Sequence, residues 1–428
     1  MKILMLNQDW FAREFREAGH QVVTAGLASN LEIRIETPLV HLNTILERAP
    51  AGFAPDVVMV HDDSGPLMVV GLEELACPMA FYSVDAHHHA ELHSYLGNLF
   101  DHVFIAQKDY SAIIESRSFI APEWLPLWAS DYVEVSADKR WDSIFVGTLN
   151  AKLNPARVAF FDALRQRVPL ECRTGNYREF FPFADIVVNQ TVKGDLNFRV
   201  FEAMMCGATL LTEESGNGLG ELFTPDLHLI TYRKNDVGHA EEKIKALLAD
   251  RNKCRQIAAA GRAEILSKHC SAHRAARVLE VLVNLKRRVS PLRLSAMTMN
   301  YQHLATGLED KDTALTNLAL AHCLRLAREA ALKGEPMDEV IAFNILRAAL
   351  NFDRFCVSQN GITMLYEFEE AFPNIVMFKA AKIRGLLNSG RKAEAAMIAA
   401  KLAEGPCEPT FAAAERAVNI ALEWGKRH

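Results

Sequence analysis

A chain of 428 residues, half of them apolar and 23% charged, holds enough material for two or three ordinary cores and does not have the composition of a disordered protein. The net charge of −6 gives no basic surplus with which to hold a polyanion, so a nucleic-acid partner is not expected. Eight cysteines with no CxxC pair among them read as buried thiols in a reducing compartment.

The apolar run that begins at Ile3 is too short for a signal-peptide core or a membrane span, so the expected location is the cytoplasm, with no transmembrane segment. From there to about residue 290, short β-branched runs alternate with helical patterns, the mark of parallel βαβ units. The predicted strands are Lys2 to Asn7, Gln21 to Ala25, Asp56 to His61, Met79 to Asp85 and His102 to Gln107, with an extended stretch around Trp124 to Trp128. The polar segment Ala129 to Arg140 is the predicted hinge. A second series follows: Trp141 to Gly147, Leu170 to Thr174, Asp185 to Asn189, Ala208 to Thr212 and Leu227 to Tyr232. These runs are continuously apolar rather than alternating, which means that both faces of each sheet are covered. The expected fold class is α/β: two Rossmann-like domains, residues 1–135 and 136–290, facing a cleft, with ligands beyond the carboxyl ends of the strands.

Past residue 290 the composition turns to Ala, Leu, Glu, Lys and Arg at helical spacing, predicting an all-α domain over 291–428. Phe378 to Pro406 reads as a helical hairpin turning at Ser389-Gly390. It resembles one tetratricopeptide-type unit, although any antiparallel helix pair gives the same pattern.

Most of the chemistry sits in Asn189 to Gly207. A loop leaves a predicted strand and enters a helix near Asp195, and the unpaired N–H groups of a helix start suit a pyrophosphate. Lys193 and Arg199 add positive charge. Glu202, three residues after Arg199, projects from the same helix face, so the pair can hold a phosphate and a ribose of one nucleotide; the alternative is a plain surface pair. Farther on, Gly216 and Gly218 in Ser-Gly-Asn-Gly-Leu-Gly let the backbone approach a ligand closely, or simply make a turn.

The runs Arg-Val-Phe-Glu-Ala-Met-Met-Cys-Gly-Ala-Thr-Leu-Leu-Thr at 199–212, Gly-Glu-Leu-Phe at 220–223 and Ala-Ala-Ala-Gly-Arg-Ala-Glu-Ile-Leu at 258–266 resemble the CgeB-like (spore maturation protein-like) glycosyltransferases, relatives of the large retaining group with the two-domain GT-B fold. The resemblance covers about residues 100–285 well and the rest of the first half in pattern only. It implies transfer of a sugar from a UDP- or GDP-linked donor, bound in the second domain, to a hydroxyl of a polysaccharide, lipid-linked glycan or protein such as flagellin approaching from the first. It also implies that Glu202 binds the ribose, that basic residues nearby hold the diphosphate, and that Gly147 lies in the loop facing it. The retaining group carries two glutamates eight positions apart; here the first position is Gly194, beside Asp195, which is available to substitute. No metal and no cofactor beyond the donor are expected, because Lys193, Arg199 and the helix start can stabilise the departing diphosphate.

In the first half, Asp85 and His87 leave a predicted strand at its carboxyl end and are candidates for orienting or deprotonating an acceptor hydroxyl. Two other readings stand beside this: a metal set of Asp85, His87, His89 and His93, and a polar loop capping a helix. His61-Asp62-Asp63-Ser64 is a lesser candidate for acceptor contact, and Asp101-His102 is expected to be structural. Against the transferase stand an inactive scaffold that recruits a partner or dimerises through the helical domain, and a nucleotide-sugar epimerase.

Overall fold

The computed structural model describes residues 1–129, 132–358 and 360–402. The first half contains β1 (Lys2–Leu6), β2 (Gln21–Gly26), β3 (Ile33–Arg34), β4 (Val40–His41), β5 (Val57–His61), β6 (Val69–Val70), β7 (Met79–Ser83), β8 (His102–Ile105) and β9 (Glu123–Trp124). β4 and β6 pair with each other, and the rest form one parallel sheet in the order β3-β2-β1-β5-β7-β8-β9. The order reverses between β1 and β5, which opens a crevice at their carboxyl ends. The second half repeats the plan with β10 (Trp141–Val146), β11 (Leu170–Arg173), β12 (Ala184–Asn189), β13 (Thr209–Glu213) and β14 (Ile230–Tyr232), ordered β11-β10-β12-β13-β14 and again parallel.

The two-residue period of a strand decides what each face of the first sheet touches. Leu4, Val23, Val58, Val60 and Phe81 share one core with Met297, Tyr301, Leu320 and Ile345 of the helical region. Their neighbours Ile3, Met5, Val22, Val57 and Met59 share another with Ile144, Phe201 and Leu282 of the second half. One sheet thus joins all three parts of the chain.

The helix Ser271–Asn284 packs back on the first half: Arg274 donates to the carbonyls of Pro126 (2.7 Å) and Leu127 (3.2 Å), and Arg277 forks onto Glu123 at 2.7 and 3.0 Å. Asp101 is structural, as expected; its carboxylate accepts from Arg287 Nη1 at 3.0 Å and from the backbone N–H groups of Met79 and Arg288 at 2.7 Å. Ala129 and Ser271 mark the two crossings between the halves. These run side by side, the Ala129 N–H donating to His269 (2.9 Å) and the Ser271 N–H to Ala129 (3.1 Å). Residues 130 and 131 of the predicted hinge lie outside the described residues.

Six helices follow, from Arg293–Leu308 to Lys392–Leu402. The first is pinned to the sheet domain by Asn300, which accepts from the Leu67 N–H at 2.7 Å and donates to its carbonyl at 2.9 Å. The predicted hairpin is present as Val376–Asn388 and Lys392–Leu402. Gly390, at φ +77°, turns the chain, and the Arg391 N–H closes the preceding helix on the Leu386 carbonyl at 2.9 Å, the left-handed glycine ending that helices favour. Pro406 lies outside the described residues. Among them no helix is long and apolar enough to cross a membrane.

Because Leu4, Val58 and Phe81 share a core with the helices, a chain ending at residue 290 uncovers apolar area at ~25 cal/mol per Å². It is expected to be insoluble or to melt well below the full chain. A soluble truncation that melts cooperatively at the full-length temperature in calorimetry contradicts this packing.

Candidate active site

Where the carboxyl ends of the two sheets face each other lies a cleft of about 500 Å³. Asp85 and His87 stand on one wall, and Gly147, Asp195, Arg199 and Glu202 on the other. The fold thus gathers residues that are up to 117 positions apart in sequence, from Asp85 to Glu202.

β12 ends at Asn189, and the loop after it bends through Lys193 (φ +53°) and Gly194 (φ +80°). The next helix spans Phe198–Met205 and starts three residues later than expected. Asp195 is not its cap: the buried carboxylate folds back to accept the Val192 N–H. Burial pushes its pKa up, and the Val192 bond opposes that rise.

Arg199 is locked rather than waving in solvent. Its Nε donates to the Val146 carbonyl at 3.0 Å, its Nη1 to Asn189 Oδ1 at 2.7 Å, and its guanidinium lies 4.8 Å from the centre of the Phe145 ring. A Cβ at Gly147 would lie 2.6 Å from Arg199 Nη2 and 2.8 Å from Phe145. The glycine is therefore needed by the arginine whether or not a ligand approaches. Burial, and next the charge of Arg157, lower the Arg199 pKa to about 10, so it remains cationic at neutral pH.

Arg157 was not singled out in the sequence. It lies in the helix Pro155–Leu164 that follows the loop after β10, lines the same cleft, donates Nη2 to the Gln190 carbonyl at 3.1 Å, and keeps a buried Nε without a partner. An arginine in the first turn of that helix, seven residues past the end of Phe-Val-Gly-Thr-Leu-Asn, is the signal the sequence offers. Glu202 sits one turn beyond Arg199, and burial pushes its carboxyl up to about 7 against the pull of Arg199 and Arg178.

On the facing wall, Asp62 shapes the turn after β7. Its Oδ2 accepts the N–H groups of Val84 (3.1 Å) and Asp85 (2.7 Å), and its Oδ1 that of Ser64 (2.8 Å). It is an organiser of the loop. Asp85 precedes the helix Ala86–Leu96, and its side chain faces the cleft. His87 has a buried Nδ1 with no partner; burial, then the neighbouring His88 and Lys193, lower its pKa to about 4, so the ring is neutral at pH 7. The alternative metal set does not assemble. His93 is turned under the loop onto Ser83 Oγ at 2.8 Å, and among the described residues no three His, Cys, Asp or Glu side chains are placed to hold an ion.

Three sequence candidates lie elsewhere. Lys193 sits at the rim, its Nζ donating to the His87 carbonyl at 3.2 Å and so bridging the halves. Gly216 and Gly218 face the first domain: a Cβ would collide with Asp109 at 216 and with the Trp124 ring at 218, where φ is +81°. Their smallness lets Asp109 and Asn217 exchange bonds across the interface at 2.9 and 3.0 Å, beside the Lys108–Glu221 ion pair at 2.5 Å.

Residues 145–280 match the family model described as glycosyl transferase-like, a span that contains Arg157, Arg199 and Glu202. In structure the chain is similar to a glycosyltransferase from Rickettsia africae ESF-5, with TM-score 0.51 and 8% identity, covering 66% of this chain and 98% of that one. Sucrose-phosphate synthase from Thermosynechococcus elongatus has TM-score 0.48 and 10% identity over 66% and 98% of the two chains. Anabaena HepE in complex with UDP and glucose has TM-score 0.46 and 11% identity over 67% and 100%. No curated protein matches. The chain has the GT-B fold, two parallel-sheet α/β domains with a helical C-terminal region, and its residues 145–280 are similar to the glycosyl transferase-like family.

Two stability measurements test this geometry. With its pKa raised from 4.5 to about 7, Glu202 holds a proton in the folded state that the unfolded chain releases between those pH values. The carboxylate therefore destabilises the fold increasingly as pH rises through that window, by up to about 3 kcal/mol at ~1.4 kcal/mol per unit. Glu202→Gln is expected to melt above wild type at pH 8 and level with it at pH 4.5; parallel melting curves at both pH values refute the assignment. Gly218→Ala is expected to cost more than ~1 kcal/mol, since the backbone angle and Trp124 both oppose a side chain, and denaturant titration measures it.

Proposed function

We propose that this protein transfers a sugar from a nucleoside-diphosphate donor to an acceptor hydroxyl. The observation that carries the reading is the pair Arg157 and Arg199: two guanidinium groups packed against one phenyl ring, each depressed by burial, with Arg157 lowering Arg199 further. The two like charges repel, Asp195 and Glu202 offset them only in part, and a diphosphate in the cleft supplies the remaining counter-charge. Arginine suits phosphate because its planar fork is pre-organised. Glu202, one turn away, is positioned to accept hydrogen bonds from ribose hydroxyls. The glycosyl transferase-like match over 145–280 supports a sugar nucleotide over other diphosphates.

In the reaction, the acceptor oxygen bonds to the anomeric carbon, the bond from that carbon to the diphosphate breaks, and the hydroxyl proton passes to Asp85. The departing charge is stabilised by Arg157 and Arg199 held in place beforehand, the kind of electrostatic preorganisation that dominates many rate enhancements. Neutral His87, on the same wall as Asp85, helps to orient the acceptor where it meets the donor. The enzyme works without an essential metal, as a cytoplasmic hexosyltransferase of the CgeB-like kind, with residues 1–135 on the acceptor side and 136–290 on the donor side. The helical region serves an acceptor or partner protein in the manner of a tetratricopeptide unit.

With EDTA present, one nucleotide sugar at a hundred times its dissociation constant is expected to stabilise the protein by about 2.7 kcal/mol, and Arg157→Ala or Glu202→Ala to abolish the shift. If no nucleoside diphosphate or sugar nucleotide raises the melting temperature, the scaffold reading replaces this one. Because ribose binding needs the Glu202 carboxylate, kcat/KM for the donor is expected to rise with pH through about 7 and to lose that limb in Glu202→Gln. A wild-type profile flat from pH 6 to pH 8 argues against ribose contact.

A further inference from the structure

Resting on the transferase reading, we propose that the acceptor is an uncharged saccharide whose reactive ring sits in a second hollow beside the donor cleft, and that anionic acceptors are refused. The hollow, about 250 Å³, shares Asp85, Asp195 and Phe198 with the donor cleft. It is smaller than the ~300–1,000 Å³ of sites that enclose drug-sized ligands, a size for one ring rather than a chain.

The two spaces differ in charge. The donor cleft contains Arg157 and Arg199. The hollow has no Lys, Arg or His among its lining residues, while Asp63, Asp85 and Asp195 all border it. An anion entering there meets Asp62, Asp63 and Asp85, while Arg157 and Arg199, which act on Asp195, line the other space, so like charge opposes its entry. A neutral sugar meets what it needs. Asp63, held through Oδ1 by Gln8 Nε2 at 2.9 Å, accepts hydroxyl protons. Trp10 offers an apolar wall for the C–H face of a ring, fixed by edge contacts with Trp128 and Phe198 at 5.4 and 5.7 Å. Asp85, on the boundary of both spaces, stands where the acceptor hydroxyl would meet the donor. The same asymmetry sorts the substrates: the anionic one to the arginine side, the neutral one to the carboxylate side, a specificity built on repulsion as much as attraction.

The test uses the full-length protein with the nucleotide sugar that gives the largest thermal shift. Transfer is measured to the methyl glycosides of glucose, galactose, mannose and N-acetylglucosamine, and to glucose 6-phosphate, mannose 6-phosphate and glucuronic acid; donor hydrolysis is followed in parallel. Neutral glycosides are expected to be preferred by roughly tenfold or more, the preference to narrow in the near-isosteric Asp63→Asn and to fall further or reverse in Asp63→Lys. Equal or better use of the charged sugars, or no transfer to any neutral glycoside while the donor is still bound and hydrolysed, overturns the proposal and leaves the transferase reading intact. Absence of donor binding and hydrolysis overturns both.

Discussion

Arg199 is the joint on which the second domain's wall of the cleft is built. One guanidinium bonds the end of β10 through the Val146 carbonyl and the end of β12 through Asn189, and it stacks on Phe145. These are the two strands between which the strand order of the second sheet reverses, so the crevice forms with a cation at its floor. Gly147 follows from this, because nothing larger fits between the guanidinium and the phenyl ring. A buried arginine is costly unless its hydrogen bonds are made, and here the making of those bonds also fixes the positions of Glu202 one turn on and Arg157 alongside.

The first half answers with a carboxylate. Asp62, buried at the end of β5, gathers three backbone N–H groups and so fixes where the chain leaves β7. Asp85 owes its place to that. The two walls are then held at a set distance by contacts outside the cleft: Asp109 with Asn217, Lys108 with Glu221, and the Leu196 N–H donating to Gln107 Oε1 at 2.8 Å. An anchor of one sign in each half, plus a polar interface beside them, defines the cleft between the two sheets.

Much of this was legible in the sequence, for an identifiable reason. Strands buried on both faces appear as uninterrupted apolar runs, and Lys2–Leu6, Val57–His61 and Ala184–Asn189 stand where those runs stand. The two-residue strands β3, β4 and β6 left no such trace. The helix begins at Phe198 rather than near Asp195 because the positive φ angles of Lys193 and Gly194 turn the chain back on its own loop first. Gly216 and Gly218 did signal close approach, but a glycine does not say what approaches; here it is Asp109 and Trp124. Helical periodicity in Ser271–Asn284 announced a buried face without saying which sheet buries it. Arg157 was hidden because one arginine on a helix means nothing until Arg199 is seen beside it.

The helix Ala86–Leu96 has a role that neither end reveals alone. It starts immediately after Asp85, in the cleft, and near its other end the Tyr95 hydroxyl donates at 2.9 Å to Asp338, whose carboxylate also caps the helix Glu339–Cys356 by accepting the Ile341 N–H. Eleven residues at ~1.5 Å each thus span from the first domain's wall of the cleft to the helical region, with a bend at His89 where the backbone leaves helical angles. Asp338 thus ties the last turn of the helix that begins beside Asp85 to the first turn of a helix of the C-terminal region.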